Sequence, residues 1–361
     1  MAVTRIFAAT SRYVQGPGVL DRLGEFVQAL ASRPVVVTDG DVARLLGARL
    51  LASFQAVGLD ARLSQFPGEV TQAAIQSLAD QAREEGADIV VGVGGGKALD
   101  TAKGVARRLG TRFVSVPTIA SNDGPASAAI AIYDDAHHMV EVQQLLRNPD
   151  LVLVDTAVIA GAPLRFLLAG IGDAISKKFE AEACARAGAP TLLGAPASLA
   201  GLMAADACYQ VIRRHGVAAV GAVKAGQITE DVEALIEAAV LLSTLSFENG
   251  GLSVAHALAR GFPYLIRAAG TLHGAHVAYG LLVQLVLEER PAAFMNELLG
   301  FYREIGLPSR LADFGLEAAT GAEIQELAEK STLSPSLARF PRPLDARQLA
   351  AAIHQVERLG W

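Results

Sequence analysis

Charge is scarce in this chain, and what there is does not cluster. Of 361 residues only 19% are charged and 52% are hydrophobic, with a formal net charge of -6. Neither Lys nor Arg forms a stripe long enough to follow a phosphate backbone, which argues against a nucleic-acid partner. Cysteine is equally sparse. Cys184 and Cys208 cannot build a disulfide framework, and a reducing compartment is the expectation. Long apolar runs are missing too: charge interrupts each apolar helix candidate within about 18 residues, short of a bilayer span. The opening Met1-Ala2-Val3-Thr4-Arg5 lacks the apolar stretch of an export signal. These absences predict a cytoplasmic globular protein with no membrane partner. The length exceeds one compact core and suits two domains.

What is present divides the chain. Val35-Val36-Val37, Ile89-Val90-Val91-Gly92-Val93, Phe113-Val114-Ser115-Val116 and Leu151-Val152-Leu153-Val154-Asp155 are continuous apolar runs. Helical patterns such as 71–85 and 97–109 lie between them. Apolar strands alternating with helices predict a parallel sheet covered on both faces. Ala129 to Tyr133 and Met139 to Val142 flank Asp134-Asp135-Ala136-His137-His138 and read as a β-hairpin. After about residue 160 the strand signals stop. Helices follow, with breaks expected at Gly188-Ala189-Pro190, Gly216, Gly250-Gly251, Gly270 and Gly306-Leu307-Pro308. The expected fold is therefore an α/β Rossmann-like domain over 1–160 and an all-α domain over 161–361, with the active site in the cleft between them.

The strongest local motif is Gly92-Val93-Gly94-Gly95-Gly96-Lys97-Ala98-Leu99-Asp100-Thr101-Ala102-Lys103, which leaves a strand and opens a helix. Glycines let a backbone approach a pyrophosphate, and a helix N-terminus offers free amides and a positive dipole end. Val91 and Ala98 rule out a Walker P-loop, and Lys97 stands where GxGxxG has its third glycine. Asp39, after Val35 to Val37, reads either as a ribose-binding carboxylate that would repel a 2'-phosphate or as an ordinary turn residue. Thr118 and Ser121, in Pro117-Thr118-Ile119-Ala120-Ser121-Asn122-Asp123-Gly124, offer hydroxyls to a nicotinamide or phosphate, or to their own loop. Asp123 is a candidate substrate contact.

Three residues farther along form a possible metal set. Asp173 lies in Ala169-Gly170-Ile171-Gly172-Asp173-Ala174, His256 on an apolar helical face, and His273 at the opening of another helix. Two imidazoles and a carboxylate are a catalytic zinc set with one position open. Each alone is equally a buried, hydrogen-bonded residue. His276, about one helical turn from His273, competes with it. His137, His138, His215 and His354 read as surface residues.

The glycine-rich turn, the Pro117-Thr118 loop, Gly172-Asp173 and the two His-bearing helices resemble the iron-containing alcohol dehydrogenase and dehydroquinate synthase-like superfamily. Within it, the chain resembles the glycerol dehydrogenases over nearly its whole length. Tyr13-Val14-Gln15-Gly16, Asn148-Pro149-Asp150 with the strand after it, Phe179-Glu180-Ala181-Glu182-Ala183-Cys184 and Phe247-Glu248-Asn249-Gly250-Gly251-Leu252 carry that resemblance. It implies NAD binding at Asp39, Gly94, Gly95, Gly96, Lys97, Thr118, Ser121, Ser127 and Tyr133. It implies a substrate contact at Asp123 and metal ligands at Asp173, His256 and His273. Iron-type members place a further histidine four residues after the aspartate. Lys177 stands there, so zinc is expected in preference to iron.

The implied activity is NAD-dependent oxidation of a small vicinal diol, with glycerol leading and dihydroxyacetone its product. The metal would ease deprotonation of a hydroxyl whose carbon then passes hydride to the nicotinamide. The implied assembly is a homo-oligomer, an octamer by resemblance. Gly124-Pro125-Ala126-Ser127 departs from the family's Ala-Pro-Cys-Ser, and Asn122-Asp123-Gly124 is similar to glycerol-1-phosphate dehydrogenases. Glycerol phosphate, a longer polyol or a 2-oxo acid are therefore alternative substrates. A dehydroquinate synthase-like lyase needs several basic residues for phosphate. The helical half has only Lys177, Lys178, Lys224 and Lys330, with Arg260 and Arg267 in reserve. A non-catalytic NAD-binding regulator is the third class, against which the metal set argues.

Overall fold

The computed structural model describes residues 4–134, 139–265, 268 and 270–359. His137, His138 and Arg267 lie outside the described residues. Eight strands are present among them: β1 (Tyr13–Gly16), β2 (Pro34–Thr38), β3 (Arg62–Gln65), β4 (Ile89–Gly94), β5 (Arg112–Pro117), β6 (Ala129–Tyr133), β7 (Met139–Gln144) and β8 (Leu151–Asp155). Six form one parallel sheet in the order β1-β8-β5-β4-β2-β3, and β6 pairs with β7 as the expected antiparallel hairpin. The apolar runs became β2, β4, β5 and β8. Every residue of β2, β4 and β8 is buried, as a sheet covered on both faces requires. β1 and β3 went unpredicted. They are the edge strands, partly exposed, and lack a continuous apolar run.

One face of the sheet packs Val36, Val91 and Val114 against Leu20, Leu50 and Phe54. The other packs Val35, Val37 and Val90 against Ile75, Val105 and Ile132. The helical half builds the largest core, which reaches the sheet through Val152 and Val154 and the β5 loop through Ala120. After β8 no further strand occurs among the described residues. Helices end at Ala187, Gly250 and Ile305, beside predicted breaks, and Gly188 closes the first of these in the left-handed conformation at φ 62. Gly216 does not break a helix. It lies inside Leu199–Lys224, where a β-carbon would stand 2.9 Å from the Phe301 ring. Its role is close helix packing, not termination. Among the described residues no helix is long and apolar enough to cross a membrane.

The chain moves from β2 outward to β3, then returns to β4 on the other side of β2. This reversal opens a crevice at the carboxyl ends of β2 and β4, where open α/β sheets bind their ligands.

Candidate active site

Asp39 follows β2, Gly94 ends β4 with Gly95 and Gly96 after it, and Thr118 follows β5, so the sheet gathers these candidates at one edge of the crevice. Gly94 has φ 152, and a β-carbon on it would lie 2.7 Å from the Ala98 methyl and 3.2 Å from Asp39 Oδ2. Only glycine fits there. Gly95 precedes the helix Gly96–Leu109 and supplies no side-chain cap, so the first-turn amides are left for a ligand. Asp39 combines both of its readings. Oδ1 accepts from Val42 N at 2.8 Å, capping the helix Gly40–Gln55, while Oδ2 is turned toward Gly94.

The Thr118 amide donates to Gly94 O at 3.1 Å, tying the β5 loop to the glycine turn. Ser121 is half-buried in that loop. Lys97 pairs with Glu69 at 2.7 Å and lies over the Tyr133 ring at 5.4 Å. Burial, with Asp100 and Glu69 nearby, pushes the Tyr133 phenol up to about 12. Ser127 is buried, and its hydroxyl donates to Gly124 O at 3.1 Å.

Asp173 ends the helix Leu164–Ala174, His256 lies on Val254–Gly261, and His273 opens His273–Leu287. The helices bring one donor atom from each within 4.8 Å of the other two. Small rotations of the imidazoles would let an ion with bonds of about 2.0–2.2 Å take all three, so the donor set fits a divalent metal. His256 and His273 meet edge to face with ring centroids 5.5 Å apart. His276 does not join them. It is buried, stacked on Phe262 at 4.4 Å, and shares a hydrogen bond with the Thr271 hydroxyl. Burial, with His273 nearby, holds it down to about 3.

Asp123 is fixed from both ends of its backbone. Its amide donates to Asp173 Oδ2 at 3.1 Å, and its carbonyl accepts from the Thr244 hydroxyl at 2.6 Å. Thr244 follows a π-helical turn at Ala238–Leu242, a distortion often found near functional sites.

Four neighbours received no site role in the sequence reading. Lys177 is fully buried, and its ammonium lies 2.6 Å from Asp173 Oδ1, 2.9 Å from Asp123 Oδ2 and 3.1 Å from His256 Nε2. The paucity of lysine in the helical half therefore does not leave the site without a cation. Glu180, also buried, accepts from the Ser253 and His256 amides and pairs with His256 Nδ1 at 2.6 Å, which orients the ring so that Nε2 faces Asp173. Thr244 is the third. The fourth is Lys103, wholly buried, whose ammonium donates to Gly124 O at 2.7 Å, to Ala129 O at 2.9 Å and to Asp100 Oδ1 at 3.2 Å. It holds the stretch that carries Ser127. The available signal for Lys177 and Glu180 is position: they lie three apart, on the face of the helix Lys177–Ala187 that also buries Ala181 and Cys184, while Lys178 and Glu182 reach solvent on another.

The electrostatics follow from this packing. Burial would raise Asp173, but Lys177 and His256 hold it well below the usual carboxylate range. Burial, then the charge of Asp173, pushes Asp123 up against the pull of Lys177. Burial would discharge His256, yet Glu180 and Asp173 bring it up to about 9. His273, exposed at the start of its helix, is held down to about 4 by desolvation against the pull of Asp173, with the positive His256 and Lys177 adding to the shift.

Comparison with known proteins agrees with this geometry. The family model for iron-containing alcohol dehydrogenases matches residues 10–156. A glycerol dehydrogenase of Thermotoga maritima is 39% identical over 362 residues, covering 100% of this chain and 98% of its own. A glycolaldehyde reductase of Halobacterium salinarum is 39% identical over 327 residues, covering 91% of this chain and 90% of its own. The crystal structure of glycerol dehydrogenase from Schizosaccharomyces pombe superposes with a TM-score of 0.95 at 33% identity, over 99% of this chain and 91% of that one. A crevice lined by a glycine turn and faced by an Asp-His-His set, matched over the full length by such relatives, means that the chain belongs to the iron-containing alcohol dehydrogenase family and is an NAD-dependent alcohol dehydrogenase.

Proposed function

We propose that the enzyme interconverts a small 1,2-diol and its 2-hydroxy carbonyl partner, with glycerol and dihydroxyacetone as the leading pair. The observation that carries this reading is the Asp123 carboxylate, adjoining the Asp173–His256–His273 set beside the crevice. Glycolaldehyde, named for one relative, is itself a 2-hydroxy carbonyl whose reduction gives a 1,2-diol. The glycine turn at 94–96 holds the pyrophosphate, Asp39 Oδ2 the adenosine ribose, and the 117–127 loop with Ser121 and Ser127 the nicotinamide end. Lys97 and Tyr133 line the outer side. Asp123 accepts a hydrogen bond from the hydroxyl next to the reacting one. Asp173, His256 and His273 would hold a divalent ion, zinc in our reading, which supplies Lewis acidity toward the substrate oxygen. Glu180 keeps His256 turned toward that position.

We assign the cofactor and metal residues to separate domains, 1–160 and 161–361. We expect a homo-oligomer, an octamer on family grounds, working in the cytoplasm, where the two buried thiols stay reduced.

The test is a substrate panel read by NADH absorbance, with glycerol, 1,2-diols, glycerol phosphate and 2-oxo acids. Turnover of glycerol phosphate with none of glycerol would overturn the reading. One observation favours a second reading, a 2-oxo acid: Lys177 offsets part of the negative charge of Asp123 and Asp173, which would otherwise repel an anionic substrate. The same panel separates the two.

A further inference from the structure

We propose that Lys177 is a built-in competitor for the metal: its ammonium and a divalent ion are alternative partners of the Asp173–His256 pair, and Lys177 must swing toward Asp123 for the ion to enter. The proposal rests on the reading that Asp173, His256 and His273 hold such an ion.

The geometry carries it. Asp173 Oδ1 and His256 Nε2 stand 3.2 Å apart, and the Lys177 nitrogen lies 2.6 Å from the first and 3.1 Å from the second. These are two of the three donor atoms a metal would use. An ion bonded to both at about 2.1 Å lies no more than about 3.7 Å from the present nitrogen position, whichever side of the pair it enters. A monovalent and a divalent cation at that separation repel strongly, because Lys177 and Asp173 are both wholly buried and water screens them little. Lys177 is completely buried, so it cannot relax into solvent. The acceptor that remains is Asp123 Oδ2, already 2.9 Å away and otherwise without a hydrogen-bond partner.

The arrangement has two consequences. Without metal, Lys177 is the counter-ion that Asp123 and Asp173 share, and His256 alone would be left to offset Asp173 if it were removed. With metal, the two cations share the same two carboxylates, so the site binds its ion more weakly than its donors alone would allow. Lys177 is thus a positioning residue that tunes metal affinity and stabilises the metal-free fold.

The test is a metal-binding measurement on full-length protein that involves no turnover. Metal-free wild type, Lys177→Met and Lys177→Arg are titrated with Zn2+ against a competing chelator, and with Co2+ followed by its visible absorption. Lys177→Met should bind at least tenfold more tightly than wild type, and Lys177→Arg should not. Metal-free Lys177→Met should melt below metal-free wild type and gain more on addition of Zn2+. Equal or weaker binding by Lys177→Met overturns the proposal while leaving the metal reading intact. Failure of wild type and Lys177→Met alike to bind either ion overturns both. If Lys177→Met does not fold, a crystal structure of Zn2+-loaded wild type decides. The Lys177 nitrogen should have left Asp173 Oδ1 and remained on Asp123, and a nitrogen still bonded to Asp173 Oδ1 beside the bound ion would sink the idea.

Discussion

Replacing Lys103 by methionine should destabilise the protein and loosen its hold on NAD. The side chain is wholly buried in the helix Gly96–Leu109, and its ammonium satisfies the Gly124 and Ala129 carbonyls and the Asp100 carboxylate. Methionine keeps the volume and removes the charge. Removing one partner of a buried ion pair costs about 3–5 kcal/mol. The lower end applies here, because Asp100 is slightly accessible and keeps the Ala131 amide at 2.9 Å. The loss should depend on pH. Burial already raises the Asp100 carboxyl, with Lys103 opposing it, so removing Lys103 raises it further. A carboxyl whose folded pKa exceeds its unfolded value contributes its full stability below the unfolded value, near 3.9, and loses it as pH rises through the folded value. The deficit of Lys103→Met should therefore be smaller at pH 5 than at pH 8. Urea unfolding at the two pH values measures this, and adding Asp100→Asn to Lys103→Met should restore at least half of the loss. Because the same ammonium holds the stretch carrying Ser127, NAD affinity should fall about tenfold, or about 1.4 kcal/mol, by calorimetric titration. A deficit below about 1 kcal/mol at both pH values, or one unrelieved by Asp100→Asn, would show that the ion pair does not hold this loop.

Four further outcomes follow from the site. Asp39→Gly should relax a preference for NAD over NADP, with little loss of helix capping because glycine is itself a tolerated N-cap; equal use of both cofactors by the unaltered enzyme would remove the role given to Asp39. Prolonged chelation should abolish turnover while NAD binding persists, since the donors and the glycine turn lie on different elements. His256→Ala and His273→Ala should each lose metal in elemental analysis, and His276→Ala should retain it at reduced stability; loss of metal by His276→Ala alone would reverse the ligand choice. Asp123→Ala should slow diol turnover by roughly ten- to a hundredfold, the worth of a charge-assisted hydrogen bond of about 1.5–3 kcal/mol, with a smaller effect on a mono-alcohol; because Asp123 also pairs with Lys177, the two are compared at equal metal content by elemental analysis, and equal effects there would place Asp123 outside substrate recognition.

The parts of this molecule that were legible in its sequence are those whose chemistry is local. β2, β4, β5 and β8 declare themselves because a strand buried on both faces must be apolar throughout, and the glycine turn because the close approach at Gly94 admits no other residue. β1 and β3 do not, since an edge strand needs no apolar run. Gly216 misleads because glycine serves close packing as readily as termination, and only the neighbouring Phe301 distinguishes the two. The metal set is a different case. Asp173, His256 and His273 are far apart in sequence, and no periodicity connects them; the family resemblance grouped them, and helix packing brings their donor atoms together. Packing also separates His273 from His276, one turn away, by sending the latter against Phe262. Least legible is the layer behind the ligands. Lys177 stands four residues after Asp173 and Glu180 three after Lys177, in a stretch where Ile171, Ala174, Ile175 and Phe179 are all buried. Lys178 and Glu182 in the same helix reach solvent, so only the face each charge occupies decides its burial, and a buried charge requires a partner. Lys177 finds Asp173, and Glu180 finds His256. A lysine where iron-type relatives carry a third histidine is therefore, in space, a cation seated on Asp173 and beside His256.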